Sequence, residues 1–155
     1  MIKIRTYNES DAKELFEITQ DKRMKKYKGC INIESLKASR QIIGYLNKAY
    51  MNNYFPMLAI ESNGILVGNI SMRIIDNNTL MLGYFLGVKY WGNGFATEAV
   101  SEMLKRYRGR YKIIMKVMEG NKASERVLMK NGFVHLSCDI EDEIKVNTFI
   151  NNNCT

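Results

Sequence analysis

The run Trp91-Gly92-Asn93-Gly94-Phe95-Ala96-Thr97 follows an apolar stretch, 80–88, and opens a helix-periodic one. Glycines at 92 and 94 let the backbone turn tightly and come close to a ligand. The N–H groups of Asn93, Gly94, Phe95, Ala96 and Thr97 then stand at a helix start, where no intrahelical acceptor exists for them. The helix dipole adds partial positive charge at the same spot, and the Thr97 hydroxyl adds a donor, so the turn suits a pyrophosphate. The same residues also make an ordinary glycine-rich strand-to-helix turn with no ligand. The run is not a Walker loop, because Gly-Lys-Ser/Thr is missing, and it lacks GxGxxG spacing.

A second stretch, Asn121-Lys122-Ala123-Ser124, follows the apolar strand pattern of 112–118 and opens a short helix. Asn121 is a good N-cap. Its amide and the Ser124 hydroxyl can also meet a ligand, and both roles can hold at once. His135 is the only histidine, and Cys30, Cys138 and Cys154 are widely spaced. This pattern gives neither a metal cluster nor a disulfide framework, so no metal site is expected and the chain is placed in a reducing cytosol.

The bulk of the chain fits that setting. At 155 residues it reads as one domain, 1–155, long enough to bury a real core. Apolar residues at 46% and charged residues at 25% are ordinary globular values. With one proline and no Ser-rich stretch, no linker or repeat is expected. No apolar run approaches the roughly 20 residues of a membrane span. The N-terminus, MIKIRTYNES, lacks the apolar core of a signal peptide. A cytoplasmic protein without a membrane partner follows.

The net charge of +7 has three readings: a nucleic acid or acidic partner, lysines spread over solvated faces, or attraction of an anionic cofactor. The nucleic-acid reading rests on charge alone, with no recognition-helix motif and no interleaving of aromatic and basic residues. No nucleic-acid partner is therefore expected.

These residues need a scaffold. Residues 2–7 alternate as a strand. Asn8 or Ser10 caps a first helix with Asp11 in its first turn, and Ala12, Leu15, Phe16 and Thr19 form its inward stripe. Residues 21–32 read as a loop. A second helix covers 33–51, with Leu36, Ile42, Ile43 and Leu46 as core candidates. PMLAIE and ILVGNISMRII are strands joined at Asn63-Gly64, a hairpin signal. Asp76-Asn77-Asn78 turns into 80–88, a nearly all-apolar strand expected to be covered on both faces. The helix after Gly94 buries Ala96, Ala99, Val100, Met103, Leu104 and Tyr107, with Arg106 and Arg108 in its last turn and Gly109 after it. Strand 112–118 and a helix over 122–131 follow. Gly132 suits a left-handed cap, with Phe133 folding back onto Leu128. VHLSCDI and EIKVNTFI are the last strands. The order β-α-α-β-β-β-α-β-α-β-β is an α/β class with helices on both faces of a mixed, largely antiparallel sheet.

Together the two motifs resemble the GNAT superfamily, the GCN5-related N-acetyltransferases. Trp91 to Ala96 looks like the family's pyrophosphate loop, Q/R-x-x-G-x-G/A. Asn121, Ser124, Gly132 and Phe133 resemble its N-x-x-S…GF segment. IRTYNESDAKELFEI, AIESNGILVGNI and GYFLGVKYWGNGFATEA look like the RimJ/RimL branch, which acetylates ribosomal-protein N-termini.

The resemblance implies an acetyl-CoA-dependent N-acetyltransferase in which an amine attacks the thioester directly. Strands 80–88 and 112–118 would splay, with pantetheine in the gap along Phe85, Leu86, Gly87 and Val88. A backbone N–H near Leu86 would stabilise the oxyanion. Gly92 to Thr97 would bind the pyrophosphate, Asn121 would hold the pantetheine, and Ser124 would help protonate the thiolate.

Three residues depart from the pattern. Trp91 replaces Gln or Arg, as it often does in this branch. Leu128 replaces the tyrosine that protonates the thiolate. Met81 replaces a glutamate base. Remaining candidates for proton transfer are Glu119, Tyr84, Tyr27 and His135. Each also has an ordinary place, respectively an exposed turn, core packing, a surface loop and a structural role. A weak base favours an acceptor that is already neutral, so a protein or peptide N-terminal α-amine is expected. The alternatives are a small amine (polyamine, aminoglycoside or amino-acid-like) or a CoA-binding regulatory domain without catalysis. The protein is expected as a monomer or homodimer.

Overall fold

The computed structural model describes residues 1–26, 31–52 and 57–152. In chain order the elements are β1 (Lys3–Arg5), α1 (Ala12–Gln20), α2 (Leu36–Met51), β2 (Met57–Ser62), β3 (Ile65–Asp76), β4 (Thr79–Leu86), α3 (Phe95–Tyr107), β5 (Lys112–Met118), α4 (Lys122–Lys130), β6 (Val134–Glu141) and β7 (Ile144–Asn151). The order matches the sequence reading. The strands form one seven-stranded sheet, β1-β2-β3-β4-β5-β7-β6. β4 and β5 pair parallel, while β1–β2, β2–β3, β5–β7 and β6–β7 pair antiparallel. No helix among the described residues is long and apolar enough to cross a membrane.

The chain divides into two compact units, Met1–Ser71 with Tyr84–Phe95, and Met72–Gly83 with Ala96–Thr155. The core of the first gathers Tyr7, Leu15, Ile18, Met24, Ile33, Ile43, Leu46, Ala59, Leu66 and Phe85. α1 starts where Asp11 takes the Asn8 N–H at 2.7 Å. Ile18 is buried rather than Phe16, which packs at the core's margin. Arg5 grips Asp11 through two bonds of 2.7 and 2.9 Å and also bonds Glu61, so β1, the start of α1 and β2 share one guanidinium. That hydrogen bond, above all, holds the Glu61 carboxyl below its usual range. α2 begins later than the pattern suggested. The Ser35 hydroxyl caps it by accepting the Ala38 N–H at 3.0 Å, and Ile33 enters the core ahead of the cap. The buried Ser39 hydroxyl donates to Ala12 C=O at 2.7 Å, fastening α2 to α1.

Asn63 and Gly64 take φ of 51° and 79°, the left-handed pair the hairpin needs. β3 then passes close to β4 in this unit. A Cβ on Gly68 would lie 2.2 Å from Phe85 O, so only glycine fits between these backbones. Next along β3, the buried Asn69 amide donates to the Tyr7 hydroxyl at 3.0 Å. Burial pushes the Tyr7 phenol up, so it stays neutral and available as acceptor.

In the second unit α3 buries Ala96, Ala99, Val100 and Met103, with Leu104 and Tyr107 at the margin. The helix stops at Tyr107, so Arg108 lies just past it, and Gly109 follows at φ 77°. α4 ends as expected: Phe133 N–H donates to Leu128 C=O at 3.0 Å and Gly132 N–H to Met129 C=O at 3.1 Å, a Schellman pair. One expectation needs correction. In its first half β4 is not covered on both faces, since Leu80 and Leu82 are buried while Met81 and Gly83 are half-buried, a period-two pattern hidden by uniformly apolar residues. β6 closes the sheet as an edge strand with Val134, Leu136 and Ile140 exposed.

Two glycines with opposite surroundings test the packing. Gly68→Ala is expected to lose about 2–3 kcal/mol, because backbone must move to admit the methyl. Gly44 lies exposed inside α2 with nothing within 4 Å of a Cβ, and Gly44→Ala is expected to gain about 0.5–1 kcal/mol. Urea midpoints at constant m value measure both.

Candidate active site

The register of β4 with β5 runs from Thr79↔Lys112 to Leu82↔Met115. β5 continues along β7 to Met118↔Val146, and β4 continues to Leu86. The far end of β4 is tied to β3: Gly87 N–H donates to Val67 C=O at 2.9 Å, and Phe85 C=O lies against Gly68. Backbone polar groups alternate sides along a strand. Phe85 and Gly87 thus face β3, and Leu86 faces away from it.

Trp91 occupies two carbonyls at this end. Its indole N–H donates to Leu86 C=O at 3.0 Å, and its backbone N–H donates to Val88 C=O at 3.1 Å. Gly87 is required by packing, since a Cβ there would sit 2.9 Å from Ile18 Cγ1. The side chains of Phe85 and Leu86 are buried. By that alternation the N–H of Leu86 points away from β3. Sequence inspection passed over the Trp91–Leu86 bond because it depends on the chain doubling back through the short 3-10 turn Val88–Tyr90.

After that turn Gly92 and Gly94 take φ of 79° and 77°. A Cβ on either would meet nothing within 4 Å, so these glycines are needed for conformation and leave open space above the loop. The Asn93 side chain donates to Tyr90 C=O at 3.1 Å, which folds it back onto the turn. Among the described residues none accepts from the backbone N–H groups of residues 93–97. Phe95 opens a helix of 13 residues, Ala96 is buried beneath it and Thr97 is half-buried. Donors, dipole and space together fit a pyrophosphate.

In the second unit Asn121 caps α4, its Oδ1 accepting the Ser124 N–H at 3.3 Å. The capping role is thus realised, and the Nδ2 of Asn121 is not spent on it. Ser124 is half-buried.

Each proton-transfer candidate has its own surroundings. Glu119 is an exposed turn carboxylate 4.0 Å from Lys145 Nζ. Tyr84 is half-buried in β4. His135 is exposed on the edge strand, 2.9 Å from Asn147 Oδ1 and edge-on to Phe149. Tyr27 lies outside the described residues. Leu128, at the position of the usual tyrosine, is fully buried, and Met81 is half-buried beside Ile114 in the sheet. Among the described residues no group of His, Cys, Asp and Glu could hold a metal ion.

Residues 2–134 match the family model described as "Acetyltransferase (GNAT) domain", and the chain belongs to that family. It is an N-acetyltransferase with acetyl-CoA as its acetyl donor. It is 26% identical over 137 residues to the uncharacterized N-acetyltransferase YoaA of Bacillus subtilis (strain 168), covering 84% of this chain and 77% of that one. It is 27% identical over 94 residues to the ribosomal-protein-serine acetyltransferase of Escherichia coli (strain K12), covering 57% of this chain and 52% of that one. The fold matches RimL, the ribosomal L7/L12 alpha-N-protein acetyltransferase, in complex with coenzyme A, at TM-score 0.82 and 18% identity over 97% of this chain and 93% of that one.

Gly94→Asp tests the loop. A carboxylate among the 93–97 amides, on a side chain strained at positive φ, is expected to weaken CoA binding at least about tenfold while the protein stays folded. Calorimetry finding undiminished affinity would remove the loop from cofactor binding.

Proposed function

We propose that this protein acetylates the α-amine of a protein or peptide N-terminus, acting as one acetyltransferase domain of the cytosol, monomeric or homodimeric. Two similar proteins support that acceptor class by their names, the ribosomal-protein-serine acetyltransferase of Escherichia coli and the alpha-N-protein acetyltransferase RimL. The observation that carries the reading is the apolar character of two proton-handling positions, Met81 and the fully buried Leu128.

In this reading Gly92 to Thr97 hold the pyrophosphate on the loop amides. Leu86 N–H donates toward the thioester oxygen as negative charge grows there. Asn121 Nδ2 steadies the pantetheine. The amine nitrogen bonds to the acetyl carbon as the carbon–sulfur bond breaks. Ser124 helps protonate the departing thiolate, and water carries away the amine's proton. Glu119 and Tyr84 are left as secondary candidates for that last transfer.

Populations then decide the acceptor. An α-amine with pKa near 8 is roughly one-tenth neutral at pH 7, and a lysine amine near 10.4 only about four parts in ten thousand. The gap is roughly two-hundredfold, and the greater nucleophilicity of the more basic amine recovers only part of it.

Two experiments follow. Ser124→Ala is expected to lower kcat about tenfold to a thousandfold with CoA affinity near wild type. Unchanged turnover would leave Ser124 in a capping role. A pH series on one peptide with a free N-terminus and a lysine should show N-terminal acetylation dominating at pH 7. The rate should rise with pH and level off near the α-amine pKa, about 8. Predominant lysine acetylation, or a profile titrating near pH 6, would establish a protein base and end this reading.

A further inference from the structure

Trp91 stands between the end of β4 at Leu86 and the glycine turn that begins at Gly92. Leu86 C=O and Gly87 N–H belong to one planar trans peptide and point in opposite directions. The N–H donates to Val67 C=O at 2.9 Å, and the C=O accepts from the Trp91 indole at 3.0 Å. This peptide is thus held at both ends, on one side by β3 and on the other by the residue next to Gly92. On a strand the N–H and C=O of one residue point the same way. The indole therefore stands on the side toward which the Leu86 N–H points.

The connection from Leu86 to Trp91 is stiff. Tyr90 N–H donates to Gly87 C=O at 2.8 Å and Trp91 N–H to Val88 C=O at 3.1 Å. Lys89 Nζ lies 3.5 Å from Glu14 Oε2 and 5.1 Å from the centre of the Tyr90 ring, which fastens the outside of this turn to α1. The Asn93 amide, donating to Tyr90 C=O at 3.1 Å, ties the glycine turn to the same structure. Gly87 is the soft point: having no Cβ, it restrains the adjoining peptide less than another residue would. Without the indole N–H, the carbonyl end of that peptide is released. Packing accounts for only part of Trp91, since 47% of its surface is exposed and its directed contact is the bond to Leu86.

We propose that Trp91 is a positioning residue that couples the glycine turn to Leu86. Phosphates seated on the turn then hold Trp91, and through it the backbone that faces the acetyl group. The inference rests on the reading given under Proposed function, with pyrophosphate on the turn and Leu86 N–H toward the thioester oxygen. It adds that binding energy gained at the phosphates is used at the reacting carbon, so the benefit appears in kcat.

The test crosses two changes, one in the protein and one in the acetyl donor. Acetyl-CoA is compared with acetylpantetheine, which has the same thioester and no phosphates. One amine serves throughout, so the identity of the acceptor cancels. In the wild-type protein kcat should be higher with acetyl-CoA. Trp91→Phe should shrink the ratio of the two kcat values about three- to tenfold, the scale of one neutral hydrogen bond. Because the chain has a single tryptophan, growth on an analogue alters this position alone. Benzothienylalanine, with sulfur in place of the indole N–H, should shrink the ratio as Trp91→Phe does, whether or not that variant folds. Fluorotryptophan, which keeps the N–H, should preserve the wild-type ratio. Equal loss with both donors would mean a merely structural role and overturn the proposal, as would an unchanged ratio. Gly94→Asp, run alongside, separates two kinds of failure. Undiminished CoA affinity there would remove the phosphates from the turn, and the coupling with them. Weakened affinity there, with an unchanged ratio in the benzothienylalanine protein, would leave the turn as the phosphate site and end the role of Trp91.

Discussion

The hydrogen bond from Gly87 N–H to Val67 C=O decides what the far end of β4 presents. With that donor spent on β3, the alternation of the strand turns the polar groups of Leu86 the other way. The bond needs close approach, and the missing side chain of Gly68 permits it, because any Cβ there would collide with Phe85 O. Trp91 then takes the carbonyls of Leu86 and Val88, through its indole and its backbone N–H. A site that must stabilise negative charge is served by removing lone pairs from its rim as much as by supplying N–H groups.

β3 must itself be immobile for this to hold. One residue past Gly68, Asn69 is anchored to the buried Tyr7 hydroxyl, so the polar groups between β3 and the segment after β1 are paired and cost little to bury. Arg5, with Asp11 and Glu61, secures the same region from the sheet's edge, and Ser39 locks α2 to the first residue of α1. These contacts belong to one unit and are dominated by pairs distant in sequence, which is why a short β1 of three residues suffices.

Local chemistry made most of the scaffold legible. Asn63-Gly64, Gly132-Phe133 and the stripe of α3 each specify their geometry within a few residues, and all appear as read. The loop at 92–97 was legible for the same reason, since positive φ and orphan amides are written into consecutive residues. Contacts that join distant residues were not. Nothing local says that the Trp91 indole returns to Leu86 or that Gly68 faces Phe85. In β4 the apolar run hid its own alternation, because Met81 and Leu82 look alike to a hydropathy count and only burial separates them.

The chain has one tryptophan, and it is Trp91, 47% exposed at the mouth of the glycine turn with its indole N–H committed to Leu86 C=O. An indole's emission colour follows the polarity around its ring and the fate of that N–H. The protein therefore carries a native optical probe at the junction of strand and loop, free of background from any other indole. Its fluorescence reports the state of this one carbonyl without a label.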